Sequence, residues 1–511
     1  MYSTVTAGAL SGICAYLVRV EVDMATGLPC FNMVGSLSGE VKESKERVWV
    51  ALKNNQIHIP PMRITVNLSP ADHRKDGTAF DLAIAVGILQ AMGFFERDVI
   101  DRTLFLGELG LNGEVRTIRG VLPIVKEAAS HGITQCIVPA GNAMEGAVIQ
   151  DIAVRGVHDL KELIHFLQSP KEIRDKVLPC TKVDVNKLFS ENREKCEYDF
   201  RDVVGQNMAK RAAEIAAAGF HNLLLVGTPG AGKTMIAKRI PGIMPTLTLK
   251  ESLEVTSIRS IAGELQEGEA LMTQRPFQTP HHTIPMHAMI GGRAVPQPGQ
   301  VSLAHRGVLF LDEMPEFSVN VLNSLRQPLE EKRIPISRIG GTVVFPADFV
   351  LVGAMNPCPC GYYPDLNRCK CTETQIRHYQ NKISGPVLDR IDITVWMEEM
   401  DIRSMQNKGE AENSTTIRKR VLRALERQKE RFGDLQKFNG DMSAEELEKY
   451  CVLGGDEQNV LESIYDKLQL SARGYHRLLR VARTIADLDD KNRILREHLL
   501  EAAGYRTVWK K

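Results

Sequence analysis

The stretch NLLLVGTPGAGKTMIAKRI limits the folds open to this chain more than any other segment. Its apolar run, Leu223 to Val226, reads as a strand buried on both faces, as in a parallel sheet. It enters Gly227-Thr228-Pro229-Gly230-Ala231-Gly232-Lys233-Thr234, and a helical pattern follows. G-x-x-x-x-G-K-T between a strand and a helix is the phosphate-binding P-loop. Glycines let backbone N–H groups turn in around phosphates, and the helix N-terminus adds the positive end of its dipole. Lys233 is placed to reach β/γ-phosphates and Thr234 to bind Mg2+ through its hydroxyl. An accidental glycine loop would not bring both the strand and the helix with it. A parallel strand needs a crossover, so at least one α/β domain is required.

The chain has 511 residues, too many for one ordinary core, and a prior of about one domain per 150 residues suggests three or so. Residues 1–165 alternate β-rich runs (ITVNLSP, QCIVPA, IAVRGV) with helical ones (AFDLAIAVGILQAMG), which predicts an α/β or α+β domain. Residues 166–200 are polar and read as a linker, 201–398 carry the nucleotide motifs, and 399–511 read as a separate helical domain. A net charge of +1 announces no nucleic-acid partner, so any such partner must use local basic patches. No apolar run is long enough to span a membrane, and the N-terminus alternates like strands and not like a signal peptide. The expected compartment is the cytoplasm, where structural disulfides are rare.

Two further apolar runs end in chemistry-bearing residues. GVLFLDE ends in Asp312 and Glu313. Beside the P-loop strand, Asp312 would hold Mg2+ and Glu313 would polarise an attacking water, which predicts a hydrolase. The plainer reading is a buried strand with two solvated acids at its tip. DFVLVGAMN ends in Asn356, whose amide could bond a γ-phosphate or simply form a turn before Pro357.

Four of the ten cysteines follow at once, Cys358, Cys360, Cys369 and Cys371. Four thiolates can surround Zn2+ tetrahedrally, although C-x-C is a less common spacing than C-x2-C. Reduced thiols without metal and a redox pair stay open beside zinc. The other six (Cys14, Cys30, Cys136, Cys180, Cys196, Cys451) are dispersed and are expected to include buried small hydrophobes.

Together these motifs resemble the AAA+ ATPases, with Asn356 in the sensor-1 place. DVVGQ, Asp202 to Gln206, resembles the segment near the adenine. SGPVLDRID resembles the loop that carries a trans-acting arginine finger, which puts that role on Arg390. SARGYHRLLRVARTIADL resembles the sensor-2 helix, which puts Arg473 there, with Arg477 one turn on as a competitor. For Arg390 and Arg473 a surface salt bridge is the plainer reading. A finger in trans implies a ring, and the resemblance implies a hexamer that uses ATP and Mg2+.

The long stretch between Thr234 and Asp312 looks like a helix-2 insert, and LEEKRIPISRIGGTVVFPADF like a pre-sensor hairpin turning at Gly340-Gly341. RPFQTPHHT and LAHRGVLFLDEMPEF are close to magnesium chelatase. Over essentially its full length the chain resembles the YifB/ComM family of magnesium-chelatase-like ATPases. Its ComM members are DNA helicases that drive branch migration, which implies a DNA motor. Lys332, Arg333 and Arg338 on the hairpin would then touch phosphates in a central pore. The alternative for them is a hairpin edge kept soluble by its charges.

HRKDGTAFDLAIAVGILQAMG and GELGLNGEVRTIRGVLPIVKEAASHGITQCIVP resemble the Lon-protease domain, of the ribosomal-protein-S5-like fold. There the serine nucleophile follows K-D-G-P. Here Ala79 stands at that place and Leu122 at the lysine base, so neither side chain can do the chemistry. Thr78 is one residue off, without its lysine. His73-Arg74-Lys75 is a positive stretch that reads as an exposed polar loop or a nucleic-acid contact. Two activities remain, an ATP-driven DNA motor and a protein-remodelling ATPase like a chelatase motor subunit.

Overall fold

The computed structural model describes residues 1–192, 198–292, 296–399, 412–434 and 436–506, apart from 339–340. Two compact units are present. Alternation decides the first sheet. In β2 (Cys14–Ala25), Val18, Val20, Val22 and Met24 are buried, while Arg19 and Asp23 face out. β1 (Tyr2–Ser11) pairs with it antiparallel from Tyr2↔Asp23 to Ser11↔Cys14. β3 (Cys30–Val34), β4 (Arg63–Ser69), β5 (Thr103–Phe105), β8 (Gln135–Pro139) and β9 (Ala153–Val157) complete a seven-stranded mixed sheet, ordered β3-β4-β2-β1-β5-β8-β9. A separate two-stranded ribbon joins β6 (Glu108–Leu109) to β7 (Val115–Arg116). The helix Asp81–Ala91, apolar on nearly every side, is buried on nearly every side and packs on β1 and β2.

The first unit is larger than residues 1–165. Residues 252–272 and 335–345 also belong to it, so the nucleotide-motif segment is not one uninterrupted domain. The reason is polar as well as apolar. Ser260 donates to the Glu145 carboxylate and accepts from the Gly120 amide at 2.9 Å. Val343 lies against Gly12 at the β1–β2 turn. The expected linker is also largely structured. Arg155 donates to the Leu178 carbonyl and pairs with Asp175 at 2.5 Å, and Leu188 and Phe189 pack beside Leu122.

The second unit is built on β10 (Leu223–Gly227), β11 (Phe277–Gln278), β12 (Val308–Leu311), β15 (Val350–Met355) and β16 (Ile393–Met397). The strands are parallel and ordered β11-β12-β15-β10-β16. Two sequence expectations change here. The acid-bearing strand β12 does not lie beside the P-loop strand β10, because β15 runs between them. The segment read as an insert contains β11, the edge strand of the sheet, pairing Phe277↔Val308. β13 (Arg333–Arg338) and β14 (Gly341–Pro346) pair as expected of the hairpin, while the expected turn residue Gly340 lies outside the described residues.

The described residues from 412 onward are largely helical, and their buried side chains share a core with the sheet. The helix Asn207–Gly219 presents buried Ala209, Ala212, Ala213, Ala216 and Ala217, and these small side chains let the helices Ser414–Phe432 and Ala472–Leu488 pack close. One hydrophobic core therefore runs from the sheet into the C-terminal helices. No helix among the described residues is long and apolar enough to cross a membrane.

Candidate active site

Three strand tips meet in one cavity of about 430 Å³, whose lining includes Pro229, Lys233, Thr234, Asp312, Glu313 and Asn356. After β10 the chain turns through Gly230 and Gly232, the latter at φ +91°, a conformation that suits glycine and starts the helix Lys233–Ile243. The Lys233 ammonium bonds the carbonyls of Gly227 at 2.8 Å and Thr228 at 2.9 Å and the Asn356 Oδ1 at 3.0 Å. Burial lowers the Lys233 pKa, against the attraction of Asp312 and Glu313. The central position of β15 carries Asn356 to the lysine, which adjacency of β10 and β12 would not have done.

Thr234 Oγ1 donates to Asp312 Oδ2 at 2.8 Å. Octahedral Mg2+ at about 2.1 Å from each ligand separates neighbouring oxygens by about 3.0 Å, so these two oxygens fit one edge of its coordination sphere. Glu313 follows in the left-handed region at φ +50° with an exposed side chain. Its carboxylate lies 3.8 Å from His282 Nδ1, and the His282 ring meets that of His281 in a tilted contact, 4.1 Å between centroids and 33° between planes. Nothing local in the sequence marks His282 beyond its place in RPFQTPHHT. Gln206 bridges the P-loop to the last strand, donating to the carbonyls of Ala231 at 3.2 Å and Glu398 at 2.7 Å.

The arginines sit elsewhere. Arg390 does not line the cavity. It is nearly buried, donating to Pro386 O at 2.6 Å and to Glu330 at 2.5 Å. Arg473, 64% exposed, approaches the other oxygen of Glu330 at 3.5 Å. Glu330 thus gathers both, and the Arg390 hydrogen bond foremost lowers its carboxyl pKa. No local pattern marked Glu330 in the sequence. Arg477 is 12% exposed and pairs inward with Asp392 at 3.5 Å, which separates it from Arg473.

The basic hairpin residues part company. Lys332 caps the helix Arg326–Glu331 at φ +57° and turns its ammonium onto Asp348, at 3.1 Å, and Asp441. Burial lowers its pKa, but the two carboxylates overcome that and hold it raised. The expectation of a free pore cation is corrected at Lys332, because internal carboxylates occupy the charge. Arg333 is 64% exposed and pairs only loosely with Glu331 at 3.5 Å. The Arg338 side chain lies outside the described residues. In the first unit, His73 and Arg74 are exposed but Lys75 is fully buried, donating to the His73 carbonyl at 2.8 Å. The expected exposed loop holds for two of the three.

Cys358, Cys360, Cys369 and Cys371 converge, with all four sulfurs within 4.8 Å of one another. Of the dispersed cysteines, Cys136 and Cys451 are buried, and burial pushes the Cys451 thiol to about 12; Cys196 lies outside the described residues. Ala79 leaves no nucleophile at its place. Leu122 is wholly buried, its amide bonded to Glu145 at 2.8 Å.

The parallel sheet, the P-loop cavity and the helices behind it define a magnesium-chelatase-like AAA+ protein, and the family comparisons agree. The model described as magnesium chelatase, subunit ChlI, matches residues 199–405. The models for subunit ChlI of Mg-chelatase and for the ChlI C-terminal region match residues 20–142 and 411–506. The chain is 42% identical to the competence protein ComM of Haemophilus influenzae, over 98% of this chain and 96% of that one. It is 39% identical to YifB of Escherichia coli, over 99% and 97%. The chain belongs to the YifB/ComM family of magnesium-chelatase-like AAA+ proteins. Similarity to the magnesium-chelatase 67 kDa subunit of Chlorobaculum parvum is 28% and covers 31% of this chain and 23% of that one.

Proposed function

We propose that this protein is an ATP-hydrolysing ring motor that acts on DNA. The observation that carries the reading is the convergence of Lys233, Thr234, Asp312, Glu313 and Asn356 on one cavity. In this reading the amides of residues 227–234 and Lys233 hold the phosphates, and Thr234 and Asp312 supply ligands to Mg2+. Mg2+, when bound, neutralises charge developing on the phosphate oxygens. Glu313 takes up the proton of the attacking water, His282 limits where its carboxylate can swing, and Asn356 orients the terminal phosphate. Arg390, outside its own cavity, reaches a neighbour's phosphate in a ring, most simply a hexamer, with Arg473 beside it. Cys358, Cys360, Cys369 and Cys371 hold a structural zinc ion. The protein works in the cytoplasm.

DNA is the favoured track for two reasons. A near full-length relative carries the name of a competence protein, and the family resemblance implies branch migration. Arg333 is exposed and only loosely paired where Lys332 is taken up internally, which suits it to phosphate contact, and Arg338 belongs to the same hairpin strand. The second reading, a protein-remodelling ATPase, draws on the chelatase family models. ATP turnover measured with and without forked DNA, against a Glu313→Gln control, separates the two. Stimulation by DNA supports the motor, and none, with stimulation by a protein partner, supports remodelling. A protein that stays monomeric with ATP at every concentration yet turns over at full rate overturns the ring.

A further inference from the structure

We propose that the four-cysteine site is a zinc buttress for the nucleotide sensor, fixing Asn356 and the P-loop so that ATP turnover depends on the metal. This rests on the zinc and ATPase readings above and adds the coupling between them.

The sulfur geometry supports a metal. Zinc–thiolate bonds of about 2.3 Å in a tetrahedron place the sulfurs about 3.8 Å apart. Cys358, Cys360 and Cys369 lie 3.4, 3.7 and 3.5 Å from one another, far from the roughly 2.05 Å of a disulfide. Each thiol also meets a backbone amide. Tyr363 N donates to the Cys358 sulfur at 3.4 Å, and the amides of Tyr362, Cys371 and Cys360 serve Cys360, Cys369 and Cys371. Amide donors aimed at sulfur orient it, as outer partners do in metal sites. The loop between the pairs has little apolar content of its own, and exposed Leu366 does not give it a core.

The placement supports the coupling. Cys358 is wholly buried two residues after Asn356. Gly361 lies at φ +86°, and a Cβ there would fall 2.6 Å from Cδ and 2.8 Å from Cγ of Pro229 in the P-loop. The bare backbone of the cysteine loop is thus seated directly on the P-loop ring. Gln380 Nε2 bonds the Pro357 carbonyl at 3.0 Å, so the helix Glu373–Gln380 that follows the last cysteine closes back on the sensor segment. A metal tying Cys358 and Cys360 to Cys369 and Cys371 fastens both ends of this clasp. Without it the loop can leave Pro229, and Asn356 loses the support that holds it 3.0 Å from Lys233.

The test uses full-length protein purified under reducing conditions. Elemental analysis should find one zinc per chain. Stripping it with a thiol-selective chelator should lower ATP turnover about tenfold, with affinity for a fluorescent ATP analogue changed far less, and added Zn2+ should restore turnover. Amide hydrogen exchange in residues 227–234 and 356–361 should speed up on stripping. Gly361→Ala keeps all four ligands and should retain zinc while lowering turnover, so it serves where a Cys360→Ser variant does not fold. Zinc-free protein with full turnover, stripped protein with unchanged turnover and exchange, or Gly361→Ala with full zinc and full turnover each overturns the proposal. If the intact protein hydrolyses no ATP, the ATPase reading fails by itself, and zinc content with the exchange of residues 227–234 still decides the buttress.

Discussion

The nucleotide cavity and the interior around Leu122 treat ionisable groups in opposite ways. In the cavity, Glu313 is exposed and only loosely met by His282, and Lys233 shares its ammonium among three oxygens. Around Leu122, Glu145 is buried and accepts from the Leu122 amide, Ser260 and Asn142. The first arrangement leaves the Glu313 carboxylate open to solvent. The second uses hydrogen bonds to hold residues 252–272 within the first unit. The group that holds the fold is buried among three donors, whereas Glu313 at the cavity is exposed.

The sharpest way to break this contrast is Glu313→Gln, which should cost at least about 10²-fold in turnover while nucleotide binding persists. Ordinary turnover in that variant would remove Glu313 from the chemistry. Next comes Glu145→Ala, which strands the buried amide and amide-nitrogen donors and should destabilise the protein by about 3 kcal/mol in a denaturant titration. Its pH dependence has a definite sign. Burial holds the Glu145 carboxyl above its usual 4.5, so the native chain keeps a proton that the unfolded chain releases. Its contribution is full below about 4.5 and declines as pH rises through the native value, and Glu145→Gln should flatten that decline.

The arginines sharpen the comparison at smaller amplitude. Arg477→Ala leaves Asp392 buried without that partner and should cost about 3 kcal/mol of stability. Arg473→Ala, at an exposed position, should change stability by less than about 0.5 kcal/mol yet lower turnover of the assembled protein. The reverse pattern would exchange their roles. Smallest is the hairpin pair. Arg333→Ala should reduce the salt slope of DNA binding by about one, whereas Lys332→Ala should leave it unchanged and cost about 1 kcal/mol of stability or less.

Much of this was legible in the chain because the information is local. Gly227 to Thr234 is one contiguous turn, and β12 and β15 announce themselves as apolar runs ending in Asp312 and Asn356. The two-residue strand β11 is too short to show a period, so it passed as part of an insert. Lys332 reads as a free cation in the sequence because only the fold brings Asp348 and Asp441 to it, the latter from 109 residues away. The helices after residue 412 read as a domain because their amphipathic stripes are visible, while the alanine face that receives them is some 200 residues upstream.

By itself the sequence determined the phosphate loop, the two acids and the grouping of the cysteines. Each of these depends on neighbouring residues and on side-chain chemistry that no fold can alter. Only the tertiary structure decided that β15 separates β10 from β12, that Lys332 turns onto Asp348 and Asp441 while Arg333 stays exposed, that Arg390 and Arg473 share Glu330, and that the cysteine loop rests on Pro229. These are pairings between distant segments. Parallel strands and buried ion pairs are selected by the packing of the whole core, which a local pattern does not encode.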